Sequence, residues 1–437
     1  MQNRRLRILI ASNTPWNDNN SFGSSFSNIF GGNPNYEIAN IYCQSGLPDT
    51  QVCSRFYRID EKSIIRSILH PKYSSGKEVE NCPNTINRDG AFVKKAKVYR
   101  WQIMFWIRDL VWATGRWRSS DLDKFIDEFN PDVIFQPIYY QPHIARIGLY
   151  AQQRTRVPMI GYISDDNYTL KQFSLSPLFW IDRLVKRRYV KHAIDRCSIL
   201  YTITEKQRNE YNILFGNKCK LLYKGGDFST QFTYEPNDCL RFVYTGNLGM
   251  GRWKSLAQIA AAIERENRVS VKAQLFIYSA TPLTNKMAKK LNRVNTSFCM
   301  GAVPSKEVPR LQRDADVLVH VESFELSERY KARLSFSTKI VDYLSCARCI
   351  FAVGWEQTGG IEYLSAHNAA IVATDPAQIS QKIHEMLQYR DLIRQYAEKS
   401  FLCGRRFHRL DEIREGLYRD ILQVVDDSRK YGFSGDL

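Results

Sequence analysis

Short apolar runs alternate with stretches of helical periodicity along most of the chain. Such runs are typical of strands buried on both faces of a parallel sheet. Amphipathic patterns such as 255–264, 304–313 and 337–345 lie between them. The alternation predicts an α/β protein with helices on both faces of its sheets. The predicted strands are 6–12, 38–43, 132–136, 158–164 and 199–204 in the first half, and 241–247, 273–279, 297–303, 317–321, 349–354 and 369–373 in the second.

The two sets of predicted strands are separated by 221–238, LLYKGGDFSTQFTYEPND, which is rich in Gly, Thr, Pro and Asp. We interpret this stretch as an interdomain connection. It predicts a first doubly wound domain over 1–222 and a second over 223–405, with a C-terminal helix over 406–437 that could pack back on the first domain. The polar, turn-rich segment 70–92 is predicted to be an insertion in the first domain.

The composition of the chain excludes several classes of protein. The chain has 437 residues, 44% of them hydrophobic, which is typical of a globular protein. It has no apolar run of about 18 residues that would suit a membrane-spanning helix, and its first apolar run is too short for a signal peptide. We therefore expect reduced thiols and a cytosolic location. Cys346 and Cys349 form a CxxC pair without the second pair that a zinc site needs, so ordinary thiols are expected there.

The charge indicates an anionic partner. The 62 Lys and Arg against 45 Asp and Glu give +17, which suits nucleic acid, anionic lipid or phosphorylated substrates. The stretch 100–118, RWQIMFWIRDLVWATGRWR, combines Trp with Arg and suits either a helix at a membrane interface or a buried helix. The basic cluster 183–192, RLVKRRYVKH, offers a face to anionic lipid or to solvent.

Two loops after predicted strands could cradle an anion, because ligands of doubly wound sheets bind where the strands end. The polar loop 12–26 contains Gly23, which would let backbone amides approach a phosphate or a sugar; a plain surface loop is the alternative. The stretch 242–252, FVYTGNLGMGR, ends a strand in a glycine-rich turn that contains Gly246 and is followed by Arg252, a residue type suited to phosphate. The loop 12–26 does not read GxGxxG, so dinucleotide binding has no support there.

A third candidate begins the helical pattern 337–345. Ser337 is predicted to be the N-cap, with Thr338 and Lys339 in the first turn. A lysine there opposes the helix dipole unless an anion is bound nearby. Asp342, one turn later, could reach hydroxyls of the same ligand. The alternative is a capped core helix with a surface lysine.

The second half of the chain, over about residues 240–390, resembles the donor domain of GT-B-fold glycosyltransferases, in particular the retaining family-four type. The resembling stretches are YTGNLGMGR, SFCMGAVPSKEVPRL, DADVLVHVESF, SFSTKIVDYLSCARCIFAVG and GGIEYL. The first half resembles the acceptor domain more weakly, through LRILIASNTP, SFGSSF, PDVIF and VPMIGYISDD. The resemblance implies the GT-B fold, with two doubly wound Rossmann-like domains facing across a cleft.

The resemblance also implies a donor site. Gly246 and Arg252 stand where the family's donor loop holds the diphosphate. Asn247 replaces an arginine of that loop, and Lys339 is the candidate to compensate for it. The second of the family's paired glutamates falls on Asp342, which keeps the role of binding the ribose hydroxyls.

Other donor contacts follow from the same resemblance. The first of the paired glutamates falls on Leu334, which cannot act as a carboxylate, so the contact to the sugar must come from elsewhere. The donor phosphates would receive amides and hydroxyls from Ser335, Ser337 and Thr338. Gly301 and Val303 lie where the family packs the nucleotide base.

On the acceptor side, Asp165 and Asp166 follow a predicted strand, at a place where the family often has a histidine followed by an acid. One of them could orient the acceptor hydroxyl or meet positive charge at the anomeric carbon; an Asx cap is the alternative. The family's usual account is front-face attack with retention and without a metal, and we expect no metal or other cofactor here.

The expected function is transfer of a sugar from a nucleotide-diphosphate donor to a lipid-linked or glycan acceptor. We expect it at the inner face of the plasma membrane, with peripheral contact to anionic lipid. A same-fold epimerase or a non-catalytic homologue is the first alternative. A nucleic-acid-binding protein is the second, although no recognition motif supports it.

Overall fold

The computed structural model describes residues 5–70, 73–83, 102–229 and 234–431. These residues form two compact units. The first contains the described residues up to Leu170, together with 174–222 and those from Arg414 onward; the second contains 171–173 and Tyr223–Ile413. Most of the C-terminal helix therefore belongs to the first unit. Part of the predicted insertion 70–92 lies outside the described residues.

The first unit is built on an eight-stranded sheet with the order β4-β3-β2-β1-β5-β6-β7-β8. Neighbouring strands pair in parallel except β3 and β4. Its strands are β1 Leu6–Ser12, β2 Tyr36–Tyr42, β3 Arg55–Arg58, β4 Lys77–Val79, β5 Val133–Pro137, β6 Met159–Ile163, β7 Cys197–Thr202 and β8 Cys219–Leu221. Its helices are Ser21–Phe30, Glu61–Leu69, Gln102–Thr114, Ser120–Phe129, Pro142–Thr155, Pro177–Asp195, Glu205–Phe215 and most of Leu410–Tyr431.

The second unit is built on six parallel strands with the order β11-β10-β9-β12-β13-β14. These are β9 Leu240–Thr245, β10 Ala273–Tyr278, β11 Ser297–Gly301, β12 Val317–Val321, β13 Cys349–Val353 and β14 Ile371–Ala373. Its helices are Arg252–Glu266, Asn285–Leu291, Val308–Arg313, Leu326–Ala332, Lys339–Ser345, Gly359–Ala366, Gln378–Gln388 and Asp391–Phe407, with a 3₁₀ turn Ser305–Glu307.

Buried aspartates tie the central strands together in the same way in both units. Asp132 precedes β5 and accepts the backbone N–H of Arg7 at 3.0 Å, and Asp316 precedes β12 and accepts that of Arg241 at 2.6 Å. The backbone N–H of each aspartate returns a hydrogen bond to the carbonyl of the same arginine. These contacts set the register between the first strand of each sheet and the strand beside it.

The predicted class, an α/β protein with two doubly wound parallel sheets, is confirmed. β12 and β13 are buried at every position, as continuous apolar runs predict for strands covered on both faces. Three strands, β3, β4 and β8, were not predicted from the apolar pattern. They are only three or four residues long and lie at or near the outer strands of the sheet. Their charged residues interrupt the apolar run that would predict a buried strand.

Candidate active site

The candidate site lies where the strand order of the second sheet reverses, between β9 and β12. In doubly wound sheets a ligand binds outside the carboxyl ends of the strands at this point. The loop after β9 carries Gly246, and the segment after β12 starts with Glu322. Chemistry in this unit is therefore expected among these two segments and the residues that pack on them.

The loop after β9 is held in a tight conformation. The backbone N–H of Leu248 donates to Thr281 Oγ1 at 3.0 Å, and Tyr244 donates its hydroxyl proton to the carbonyl of Asn247 at 2.5 Å. Met250 and Gly251 both adopt positive φ, 55° and 73°, and so turn the chain into helix Arg252–Glu266. A side chain at position 251 would also collide with Ser323, so this turn requires glycine.

Arg252 is clamped by Glu322. Its Nε lies 3.0 Å from Glu322 Oε2, and its second terminal nitrogen lies 3.1 Å from Oε1. The remaining terminal nitrogen donates to Asn247 Oδ1 at 3.1 Å. The side chains are only 19% and 9% exposed. Burial raises the pKa of the Glu322 carboxyl, while Arg252 opposes that shift.

Lys339 approaches Gly246 so closely that a Cβ at position 246 would collide with its Nζ. Burial lowers the pKa of the Lys339 ammonium, and repulsion from Arg252 lowers it further. Among the described residues, Lys339 Nζ has neither a hydrogen bond nor an ion pair. Lys339 and Arg252 together outweigh Glu322 by one positive charge, and the uncompensated charge is that of Lys339. Lys339 therefore places an uncompensated positive charge beside Gly246, an arrangement that suits an anion.

His320 lies beneath these residues. Its ring packs against the backbone of Gly360, and its Nε2 lies 4.0 Å from a Glu322 oxygen. Burial, with smaller contributions from Arg252 and Lys339, lowers the pKa of His320 to about 3. The ring is therefore neutral and adds no charge to the site at neutral pH.

Asp342 lies one turn after Lys339. Its carboxylate pairs with Lys224 Nζ at 2.5 Å, and its side chain is 40% exposed. The predicted role in binding ribose hydroxyls requires an accessible carboxylate, and that of Asp342 is accessible. Its charge is balanced by Lys224.

The start of the helix differs from the prediction by one residue. Thr338, not Ser337, is the N-cap, and its side chain makes no capping hydrogen bond. The carbonyl of Ser337 accepts the backbone N–H of Ile340 at 2.9 Å. Ser335 belongs to the preceding turn, where its N–H donates to the Ala332 carbonyl at 3.1 Å. All three predicted phosphate-binding residues are partly exposed.

Gly301 and Val303, predicted to pack the base, lie at the carboxyl end of β11. Gly246 follows β9 at the same end of this parallel sheet. Gly301 has φ of 81° with open space around it, and Val303 is half-buried. Leu334 is fully buried, so it is a core residue and cannot contact a sugar.

In the first unit, the structure gives Gly23 a local role. Its N–H donates to the N-cap side chain of Asn20 at 2.8 Å, and a Cβ there would collide with the backbone of Asn17. The glycine is therefore needed by the fold of its own loop. Its own amide is already bonded within the loop, and its assignment to the donor stays a prediction.

Asp166 and Asp165 have contrasting environments. Asp166 is buried, accepts the backbone N–H of Thr169 at 2.8 Å, and pairs with Arg183 at 3.2 Å. This is an Asx turn within a loop, so its carboxylate is committed to structure. Asp165 is exposed and lies two residues after the end of β6. The catalytic prediction therefore rests on Asp165 alone.

Sequence reasoning overlooked Glu322, although the stretch DADVLVHVESF contains it. Glu322 could have been found as an acidic residue directly after the buried strand β12, which pairs with β9. Within the described residues, no group of three His, Cys, Asp or Glu could hold a metal ion, and no helix is long and apolar enough to cross a bilayer. Cys346 and Cys349 are free thiols.

The chain was compared with protein families, curated proteins and solved structures to identify its fold. No protein-family model matches the chain, and no curated protein matches it. Solved structures do match. HepE of Anabaena in complex with UDP covers 96% of this chain and 100% of its own, at 11% identity and a TM-score of 0.61. Sucrose-phosphate synthase of Thermosynechococcus elongatus gives the same four values.

A third structure, TarM of S. aureus in a complex that includes UDP, covers 70% of this chain and 58% of its own, at 11% identity and a TM-score of 0.51. These neighbours are GT-B glycosyltransferases. The chain therefore has the GT-B fold, as the sequence resemblance implied.

Proposed function

We propose that this protein is a glycosyltransferase that transfers a sugar from a nucleotide-diphosphate donor, with retention and without a metal. The observation that carries the proposal is the close approach of Lys339 Nζ to Gly246 at the switch point of the second sheet. That position suits the phosphates of a donor.

The charges at the site suit a departing diphosphate. As the bond to the sugar breaks, negative charge accumulates on the phosphate oxygens, and cations fixed nearby stabilise the transition state. Lys339 supplies the free charge. Arg252, already held by Glu322 on one edge, supplies an oriented guanidinium whose remaining N–H groups can face the phosphates.

Asp342 would bind the ribose hydroxyls, and Gly301 with Val303 would pack against the base. We propose uridine as that base, because HepE and TarM were solved with UDP. In the first unit, Asp165 would orient the acceptor hydroxyl, since it is the exposed member of its pair.

The proposed acceptor is lipid-linked or a glycan, and the proposed location is the inner face of the plasma membrane. The support is the net charge of +17, which favours anionic lipid as a neighbour. Nucleic acid is not the expected partner.

The proposal is tested by thermal unfolding with UDP, GDP, ADP and CMP and their sugar conjugates. A ligand at 100 times its Kd stabilises by about 2.7 kcal/mol. We expect UDP to stand out, and UDP to be released when the matching donor meets an extracted lipid acceptor. Nucleotide binding without transfer or hydrolysis would favour a non-catalytic homologue. Conversion of the donor to its epimer would favour an epimerase, and salt-dependent binding of RNA or DNA without nucleotide binding would reject the proposal.

A further inference from the structure

The first half of helix Pro177–Asp195 has the reverse of the usual amphipathic arrangement. A surface helix normally buries its apolar stripe and exposes its charges. This first half instead buries Asp182, Arg183 and Lys186, whereas the second half buries apolar side chains, Val190, Ala193 and Ile194. The large apolar side chains of the first half that are exposed by two-fifths or more are Leu178, Ile181, Leu184 and Val185.

The buried charges are satisfied, so the orientation of the helix is specified. Lys186 Nζ lies 2.8 Å from Asp182 and 3.0 Å from Asp109 of the neighbouring helix Gln102–Thr114. Arg183 donates to the carbonyls of Asp166 at 2.7 Å and Thr169 at 2.8 Å. Rotating the helix to bury its apolar side would break these contacts. The charges of the predicted basic face 183–192 therefore lie partly inside.

Helix Gln102–Thr114 continues the pattern. Trp106 donates its Nε1 proton to Asp182 at 2.9 Å, and Trp112 is buried. The tryptophans that suggested a membrane helix therefore face the protein, except Trp101, which lies outside the described residues. The outward side of the helix carries aliphatic residues at a helical spacing, each more than half exposed: Met104, Ile107 and Leu110.

Helix Glu61–Leu69 packs against helix Gln102–Thr114. Its Ile64 and Ser67 are buried, and Ser67 Oγ accepts the backbone N–H of Arg116 at 3.2 Å. Its exposed apolar residues are Ile65, Ile68 and Leu69. We call the exposed apolar side chains of these three helices the apolar face; its members are Ile65, Ile68, Leu69, Met104, Ile107, Leu110, Leu178, Ile181, Leu184 and Val185.

The exposed charges beside the apolar face are mainly positive. Along the described side chains of the three helices, the exposed charged groups are Lys62, Arg66, Arg188, Lys191 and one acid, Asp195. Asp195 is neutralised by Lys191 at 2.6 Å. A partner must therefore be apolar where it meets the aliphatic residues and anionic where it meets the cations. A bilayer with acidic headgroups has both properties.

We propose that the apolar face docks this protein onto an anionic lipid bilayer, with its aliphatic side chains in the headgroup region and its basic residues against lipid phosphates. Docking deepens the location proposed above, because it names the surface that would contact anionic lipid. It does not depend on the transfer reaction, because bilayer binding needs neither donor nor acceptor. A failure of either proposal can therefore be recognised without the other.

The test is co-sedimentation of the full chain with vesicles of phosphatidylcholine alone or with added phosphatidylglycerol. The wild type is expected to bind the mixed vesicles, more weakly at high salt. The double variant Ile107→Glu and Ile181→Glu places two carboxylates in the apolar face and should lower the affinity at least about tenfold. The control Val269→Glu changes a side chain that is 95% exposed in the second unit and should bind as the wild type does.

A second pair of variants separates charge from apolar contact. Arg188→Gln with Arg66→Gln should weaken binding to the mixed vesicles by roughly fivefold per residue and leave binding to phosphatidylcholine unchanged. All variants should retain the wild-type unfolding temperature, because the substituted side chains are exposed.

Two results would overturn the proposal. The first is a folded wild type that stays in the supernatant with mixed vesicles at low salt. The second is equal sedimentation of the wild type and the Ile107→Glu, Ile181→Glu variant. Analytical ultracentrifugation tests whether a second copy of the chain occupies the apolar face. A dimer that the Ile107→Glu, Ile181→Glu variant abolishes would assign the face to self-association instead of a bilayer.

Discussion

Arg252 and Glu322 form a two-point ion pair across the switch point of the second sheet, with nitrogen–oxygen distances of 3.0 and 3.1 Å. The arginine begins the helix after β9, and the glutamate follows β12. The pair joins the two segments that border the candidate donor site. Lys339, the other cation of this site, has neither a hydrogen bond nor an ion pair among the described residues.

Replacing Glu322 with Gln should destabilise the protein. The change leaves Arg252 partly buried without a counter-charge, which costs about 3 kcal/mol or more. Urea unfolding measures the free energy of unfolding. The control is Glu325→Gln, which removes the exposed partner of Lys254 and should cost at most about 1 kcal/mol. Equal losses in the two variants would contradict the role given to the buried pair.

Gly246→Ala should weaken donor binding while the protein stays folded. The new methyl group occupies the space of Lys339 Nζ and displaces the ammonium. Gly249→Ala is the matched control in the same loop, since its methyl would meet only Asn247 Oδ1 at an ordinary 3.6 Å. The measurement is the shift in unfolding temperature that UDP produces. If both variants respond to UDP as the wild type does, Lys339 does not act at this position.

Donor binding should take up protons at alkaline pH. The pKa of Lys339 is lowered in the free protein, first by burial and then by Arg252. A bound diphosphate favours the charged form and raises that pKa. Affinity should therefore fall as pH rises, starting at a lower pH than for an ordinary lysine. Calorimetry in buffers of different ionisation enthalpy counts the protons.

Lys339→Arg is the control for this titration, because a guanidinium stays protonated over the whole range. It should abolish the proton uptake. Uptake that is unchanged in Lys339→Arg would assign the titration to a different group.

Asp165→Asn and Asp166→Asn should have opposite phenotypes. Asp165 is exposed, so its variant should keep its stability and its donor affinity but lose transfer by about a hundredfold or more. Asp166 pairs with Arg183 in the interior, so its variant should lose about 3 kcal/mol of stability. Full transfer activity in Asp165→Asn would remove the last acidic candidate on the acceptor side.

The pattern of the chain predicts the strands of both sheets well, because buried parallel strands read as continuous apolar runs. It predicts short edge strands such as Lys77–Val79 poorly, since their residues are exposed and charged. It identifies Gly246 and Lys339 separately, but their contact depends on residues 93 positions apart in the sequence, 339 − 246.

Roles that depend on three-dimensional partners are hidden from the sequence. Asp165 and Asp166 are identical in type and adjacent, yet only the fold shows that Arg183 and Thr169 engage Asp166. Likewise, Trp106 and Lys186, from the two stretches that suggested contact with a membrane, turn inward because both pair with Asp182. Periodicity alone cannot tell a buried ion pair from an exposed one.

The most direct test of the donor site is calorimetric titration of UDP into the wild type, Lys339→Ala and Lys254→Ala. Lys254 lies two residues after Arg252 and is neutralised by Glu325, so its loss should change affinity by no more than about twofold. Loss of Lys339 removes a charge-assisted contact and should weaken binding at least about tenfold. If Lys339→Ala binds UDP as tightly as the wild type does, the diphosphate does not bind where this account places it.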